Sequence, residues 1–123
     1  MKLDKDLVRE ILLAIEASDH DPGGWMNLDV AGHSLQEISY HVQLLDEAGF
    51  LQANGLHTNR GHAWLPKRLT YQGHEFLDTV RDGEIWQLTK ETAAKAGAAS
   101  VQALFAIATA AIKQKLAEHG IAL

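Results

Sequence analysis

The stretch SLQEISYHVQLLDEAGFL, residues 34–51, decides how this chain folds. Ser34 followed three residues later by Glu37 is a capping box, in which the serine hydroxyl accepts an orphan backbone N–H and the glutamate reaches back to the serine's own N–H. A helix therefore starts at Ser34. At about 100° per residue, Leu35, Ile38, Val42, Leu45 and Ala48 fall on one side, with His41 at the margin of the stripe. Gln36, Ser39, Tyr40, Gln43, Asp46 and Glu47 occupy the opposite face. Gly49 is a left-handed terminator, after which the chain turns into the apolar pair Phe50-Leu51.

Downstream, Phe50 to Ala53 and Ala63 to Leu69 flank a polar stretch that opens with Asn54-Gly55. This pattern predicts a two-stranded hairpin with an extended tip, and Pro66, which cannot donate to a ladder, belongs at an edge or bulge of it. Thr70 then caps a third helix carrying Phe76, Leu77 and Val80. A break at Asp82-Gly83 precedes a helix over about 84–96, closed by Gly97, and the last helix runs from about Ala99 to His119. Upstream, Leu7, Val8, Ile11, Leu12 and Ile15 predict a helix from Asp4 to Ala17, followed by the breaker Ser18 to Gly24. Met26, Leu28 and Val30 alternate with Trp25, Asn27 and Asp29 as a short strand would.

The 123 residues fit one domain, and 46% apolar with 22% charged residues is an ordinary globular composition. With no cysteine there is neither a disulfide nor a thiolate metal site, and the acidic start and lack of a long apolar run point to a cytoplasmic protein without a membrane segment. The net charge of −5 is unevenly spread: residues 1–47 hold three basic and ten acidic groups, whereas residues 48–74 hold Arg60, Lys67 and Arg68 with no acid.

The order helix, strand, helix, Ala48-Gly49-Phe50-Leu51, hairpin, Leu69-Thr70-x-x-Gly73, helix looks like a winged helix. The expected fold is mostly α with a small β component (α+β): a winged-helix-like core over 1–82 with a β-hairpin wing, and a C-terminal helical extension over 83–123. Lys5-Asp6-Leu7-Val8-Arg9, Glu37-Ile38-Ser39-Tyr40-His41 with Leu44-Leu45 and Ala48-Gly49, and Leu69-Thr70 with Gly73-His74-Glu75-Phe76-Leu77-Asp78 resemble the domain-of-unknown-function family 2513. That resemblance covers residues 2 to about 88 and implies a winged-helix fold in a bacterial or prophage setting, with no established activity.

A winged helix reads DNA by placing one helix in the major groove while basic groups hold phosphates. Glutamine can pair with adenine, so Gln36, Ser39, Tyr40 and Gln43 form a candidate reading face, and His57, Asn59, Arg60, Lys67 and Arg68 are candidate wing contacts to double-stranded DNA. Against this, the helix from Ser34 to Ala48 contains no Lys or Arg and carries Glu37, Asp46 and Glu47, which repel phosphate. Only the sixteen residues 18–33 separate the first helix from the capping box, leaving little room for the helix that normally positions the reader. A protein-interaction or scaffold role for the same fold therefore stands beside DNA binding.

No catalytic, cofactor or metal site is expected. The chain lacks Gly-x-Ser-x-Gly, Gly-x-x-x-x-Gly-Lys and Gly-x-Gly-x-x-Gly, and His74-Glu75-x-x-Asp78 has aspartate where a zincin helix has its second histidine. His41 reads as a packed histidine with one hydrogen-bond partner, the tryptophans as core or interface residues, and acid pairs such as Asp46 and Glu47 as solvated surface. The last helix is apolar around most of its circumference, which points to a homodimer through Val101, Leu104, Phe105, Ala108, Ile112 and Leu116, the alternative being that it closes over the chain's own core.

Overall fold

A computed structural model describes residues 1–19, 23–58, 61–98 and 100–120. Its elements are α1 (Lys5–Ala17), α2 (Leu35–Glu47), β1 (Leu51–Thr58), β2 (Gly61–Leu69), α3 (Tyr71–Val80), α4 (Gly83–Ala96) and α5 (Val101–Glu118). The molecule is mostly helical with one antiparallel two-stranded hairpin. It divides into two compact units, Met1–His74 and Glu75–Leu123.

In the first unit α1 packs on α2 and β2, and α2 packs on both strands. Leu7, Val8, Ile11 and Leu12 of α1, Val42 and Leu45 of α2, and Phe50 are fully buried, each worth about 1.5–3 kcal/mol relative to exposure. The capping box forms as the sequence predicts: Ser34 Oγ accepts from Glu37 N–H at 3.1 Å, and Glu37 Oε1 accepts from Ser34 N–H at 3.3 Å. At the other end Gly49 adopts φ +84°, and Phe50 N–H closes a bond to Leu45 C=O at 3.0 Å, so α2 stops where the glycine permits a left-handed residue.

Two sequence motifs interlock here. Thr70 Oγ1 donates to Gly49 C=O at 2.6 Å and accepts from Gly73 N–H at 3.1 Å, while Thr70 N–H donates to Phe50 C=O at 3.2 Å. The start of α3 is thus bolted to the turn that ends α2. A Cβ on Gly73 would lie 1.9 Å from the Phe50 carbonyl oxygen, so this approach requires glycine.

The hairpin differs from the expected one in length. Asn54 and Gly55, a turn signal by composition, lie inside β1 opposite Leu65 and Trp64, and pairing continues to Thr58 and Gly61. Cross-strand pairing outweighs the local turn preference. A register shift falls between Gln52 and Ala53, next to Pro66, which has no N–H to give the ladder.

The segment 25–30 is not a strand. Its alternation survives as burial, with Met26 buried, Leu28 and Val30 half-buried, and Trp25, Asn27 and Asp29 exposed. Pairing is a separate requirement: Met26 N–H donates to Pro66 C=O at 2.9 Å, and the proline has no N–H with which to reciprocate. The following residues make a turn in which His33 N–H meets Val30 C=O at 3.2 Å with Gly32 at φ +84°, so among the described residues no helix intervenes between α1 and α2.

In the second unit α4 packs against α5. Asp82 caps α4 by accepting from Glu84 and Ile85 N–H, Gly97 ends it at φ +70°, and Ser100 caps α5 by accepting from Ala103 N–H. Lys115 Nζ sits 3.0 Å from Asp82 Oδ2 and 3.9 Å from Glu84 Oε2, joining the late turns of α5 to the first turn of α4. Among the described residues, no helix is long and apolar enough to cross a membrane.

Candidate functional site

The polar face of α2 does form one surface. Gln36, Ser39, Tyr40 and Gln43 line a shallow groove of about 430 Å³, and Trp64 of β2 supplies its other wall. Ser39 has a structural duty as well: its hydroxyl accepts from the Trp64 backbone N–H at 2.8 Å, fixing this part of β2 beside the helix. Tyr40 is 36% exposed and meets the His41 ring edge-on at 5.9 Å. Gln43 Nε2 donates to Glu47 Oε1 at 3.4 Å along the exposed edge.

Asp46 is not simply solvated surface. Its Oδ1 accepts from Ala53 N–H at 3.0 Å, so it clips β1 to α2 and occupies a donor at the edge of the hairpin. Ser39 and Asp46 together tie both strands of the hairpin to one helix, Ser39 holding β2 and Asp46 holding β1. Neither duty is visible in the helical periodicity, because both depend on which residue of the hairpin arrives opposite.

His41 is 1% exposed and has two partners rather than one. Its Nε2 accepts from Asp4 N–H at 2.8 Å, which fixes the proton on Nδ1, and Nδ1–H donates to Glu37 C=O at 2.8 Å. Asp4 is itself the cap of α1, with Oδ1 accepting from Leu7 N–H at 3.1 Å. The imidazole therefore ties the start of α1 to the first turn of α2, directly beneath Tyr40. Near the same turn, the Glu37 carboxyl is held below its ordinary range, first by its hydrogen bond to His33 Nδ1 at 3.2 Å and then by the Ser34 N–H.

Lys67 and Arg68, the described basic residues of the hairpin, line a separate pocket of about 200 Å³ with Ile15, Glu16 and Ser18 from the end of α1, Leu69 and His74, sharing no lining residue with the α2 groove. Lys67 Nζ lies 4.4 Å from the centre of the Trp25 ring, a cation–π contact, and Arg68 Nη1 donates to Leu69 C=O at 3.0 Å. Asn59 and Arg60 lie outside the described residues, as does the side chain of His57.

On α5, Leu104 and Ala108 are fully buried and Val101 nearly so within the single chain, and Phe105 stacks against Phe76 with ring centres 5.5 Å apart. Of the six residues named for a dimer face, Phe105, Ile112 and Leu116 retain partial exposure. Among the described residues, no three His, Asp or Glu side chains gather in a way that could hold a metal ion, and Asp78 pairs with Arg81 at 3.2 Å.

Fold and site together define a class: a small α+β protein in which a helix and a hairpin frame a polar, aromatic groove. The family described as hypothetical protein (DUF2513) matches residues 2–99, and the chain belongs to it. It is also 33% identical over 118 residues to an uncharacterized protein of Haemophilus influenzae (strain Rd), an alignment covering 95% of this chain and the whole of that protein. No solved structure matches the chain.

Proposed function

We propose that residues 1–74 are a winged-helix variant, with α2 in the place of the recognition helix and the hairpin as wing, that recognises a protein and catalyses no reaction. The observation that carries this reading is the separation of the groove residues Gln36, Tyr40, Gln43 and Trp64 from the pocket lined by Lys67 and Arg68. Phosphate binding needs cations beside the reading face, because release of counterions supplies most of the affinity. Here the reading face carries Glu47 and no Lys or Arg. Tyrosine and tryptophan, which line one groove here, are instead the side chains that dominate protein interfaces.

Double-stranded DNA is the second reading, and one observation favours it: Gln36 and Gln43 present two amides on the same face as Tyr40, a chemistry able to pair with adenine. Affinity capture from the source cell with matched variants separates the two. Tyr40→Ala should lose the captured protein while Lys67→Ala retains it. Capture that is indifferent to Tyr40, or that disappears on nuclease treatment, overturns the protein reading.

A further inference from the structure

The groove beside α2 has an apolar neighbour. Leu28, Leu35, Ile38, Ala63 and Leu65 surround a pocket of about 180 Å³ with Asn27 at its rim, and Ser39 and Trp64 border both this pocket and the groove. The Trp64 indole is therefore a wall shared by an aliphatic socket and an amide-lined trough. Leu35, the first residue of α2, is 73% exposed, so its apolar side chain contributes little to the fold of the single chain. An exposed leucine and a half-buried tryptophan around the socket, with an exposed tyrosine lining the adjoining groove, make a surface suited to anchoring a side chain from outside.

Charge selects the class of visitor. α2 has no basic residue, and its exposed edge ends in Glu47. An acidic segment or a polyphosphate meets repulsion here; a cationic one is attracted, and the Tyr40 ring offers a face to an ammonium or guanidinium.

Resting on the protein-recognition reading above, we propose that this surface takes an extended peptide with one aliphatic side chain seated in the socket and a neighbouring lysine or arginine along Tyr40 and Glu47. Gln36 and Gln43 amides serve its backbone, each having both a donor and an acceptor to offer. The socket has room for one aliphatic side chain and the groove continues from it past Trp64, so anchor and cation lie within a few residues of each other in the bound sequence.

The test is selection from a random dodecapeptide library displayed on phage, using the full chain. Enriched sequences should pair Leu, Ile or Met with a nearby Lys or Arg, and the synthetic peptide should bind Leu35→Glu and Tyr40→Ala about tenfold more weakly than the unmodified protein. Leu35 is exposed enough for its replacement to leave the fold intact. Enriched peptides that are acidic or lack an aliphatic anchor, yet still depend on Tyr40, overturn this inference and leave protein recognition standing. Peptides that bind both variants as well as the parent overturn it too, and no enrichment above bare support overturns both readings.

Discussion

Gly73→Ala sets two effects of opposite sign against each other. In a helix alanine is favoured over glycine by about 1 kcal/mol, so propensity alone makes the variant more stable. The added Cβ, however, lies 1.9 Å from the Phe50 carbonyl oxygen and 2.9 Å from its carbonyl carbon, backbone atoms that cannot swing aside. Overpacking of this kind costs about 1–3 kcal/mol. Moving Phe50 also strains the bond from Thr70 N–H to Phe50 C=O and the two bonds of Thr70 Oγ1 to Gly49 and Gly73, at about 1 kcal/mol each if lost. The clash wins, and the variant should be destabilised by about 2 kcal/mol or more. Gly83→Ala is the control: it also sits in a helix, and its Cβ meets nothing within 4 Å, so stability should hold or rise. Urea denaturation followed by far-ultraviolet circular dichroism reads both. A Gly73→Ala protein as stable as its parent refutes the interlock of the two motifs.

Two further outcomes follow from the hydrogen-bond geometry. His41→Leu keeps the apolar contacts but removes the acceptor for Asp4 N–H, and should cost about 1–3 kcal/mol with faster amide exchange at Asp4 and Leu7; unchanged exchange at Asp4 contradicts the assignment of Nε2 as acceptor. Asp82 is held below its ordinary value of 3.8, first by the hydrogen bond from Lys115 and then by the N–H groups of Ile85 and Glu84. A depressed carboxyl contributes stability that is present above 3.8 and lost as pH falls through the lower folded value. Lys115→Met should therefore move the Asp82 midpoint upward in an NMR titration and shrink the loss of stability at acid pH, whereas an unmoved midpoint contradicts the pairing.

Local signals carried much of the fold. Ser34 with Glu37, Gly49, Asp82 and Gly97 mark helix ends through atoms within a few residues of each other, and the structure places caps at each. Signals that need a distant partner were silent or misleading. Alternation at Met26, Leu28 and Val30 records which side faces inward, but a strand also needs a donor opposite, and Pro66 has none. Asn54-Gly55 has turn chemistry, yet Leu65 and Trp64 arriving opposite keep it in the ladder. The candidate site divides in the same way. Helical spacing brings Gln36, Ser39, Tyr40 and Gln43 together, whereas nothing in that spacing reveals Trp64 as their neighbour, the Leu35 socket, or Lys67 resting over Trp25.

The central claim is that the α2 groove is a protein-recognition surface from which the cations of β2 are segregated. Its most direct test is a titration of the isotope-labelled protein with a randomised duplex pool near ~50 mM salt, where nonspecific contacts are least screened. The account predicts that the side-chain amides of Gln36 and Gln43 and the Trp64 indole N–H keep their resonance positions. Shifts at those three groups that fade as salt is raised would contradict it and make this face a nucleic-acid reader.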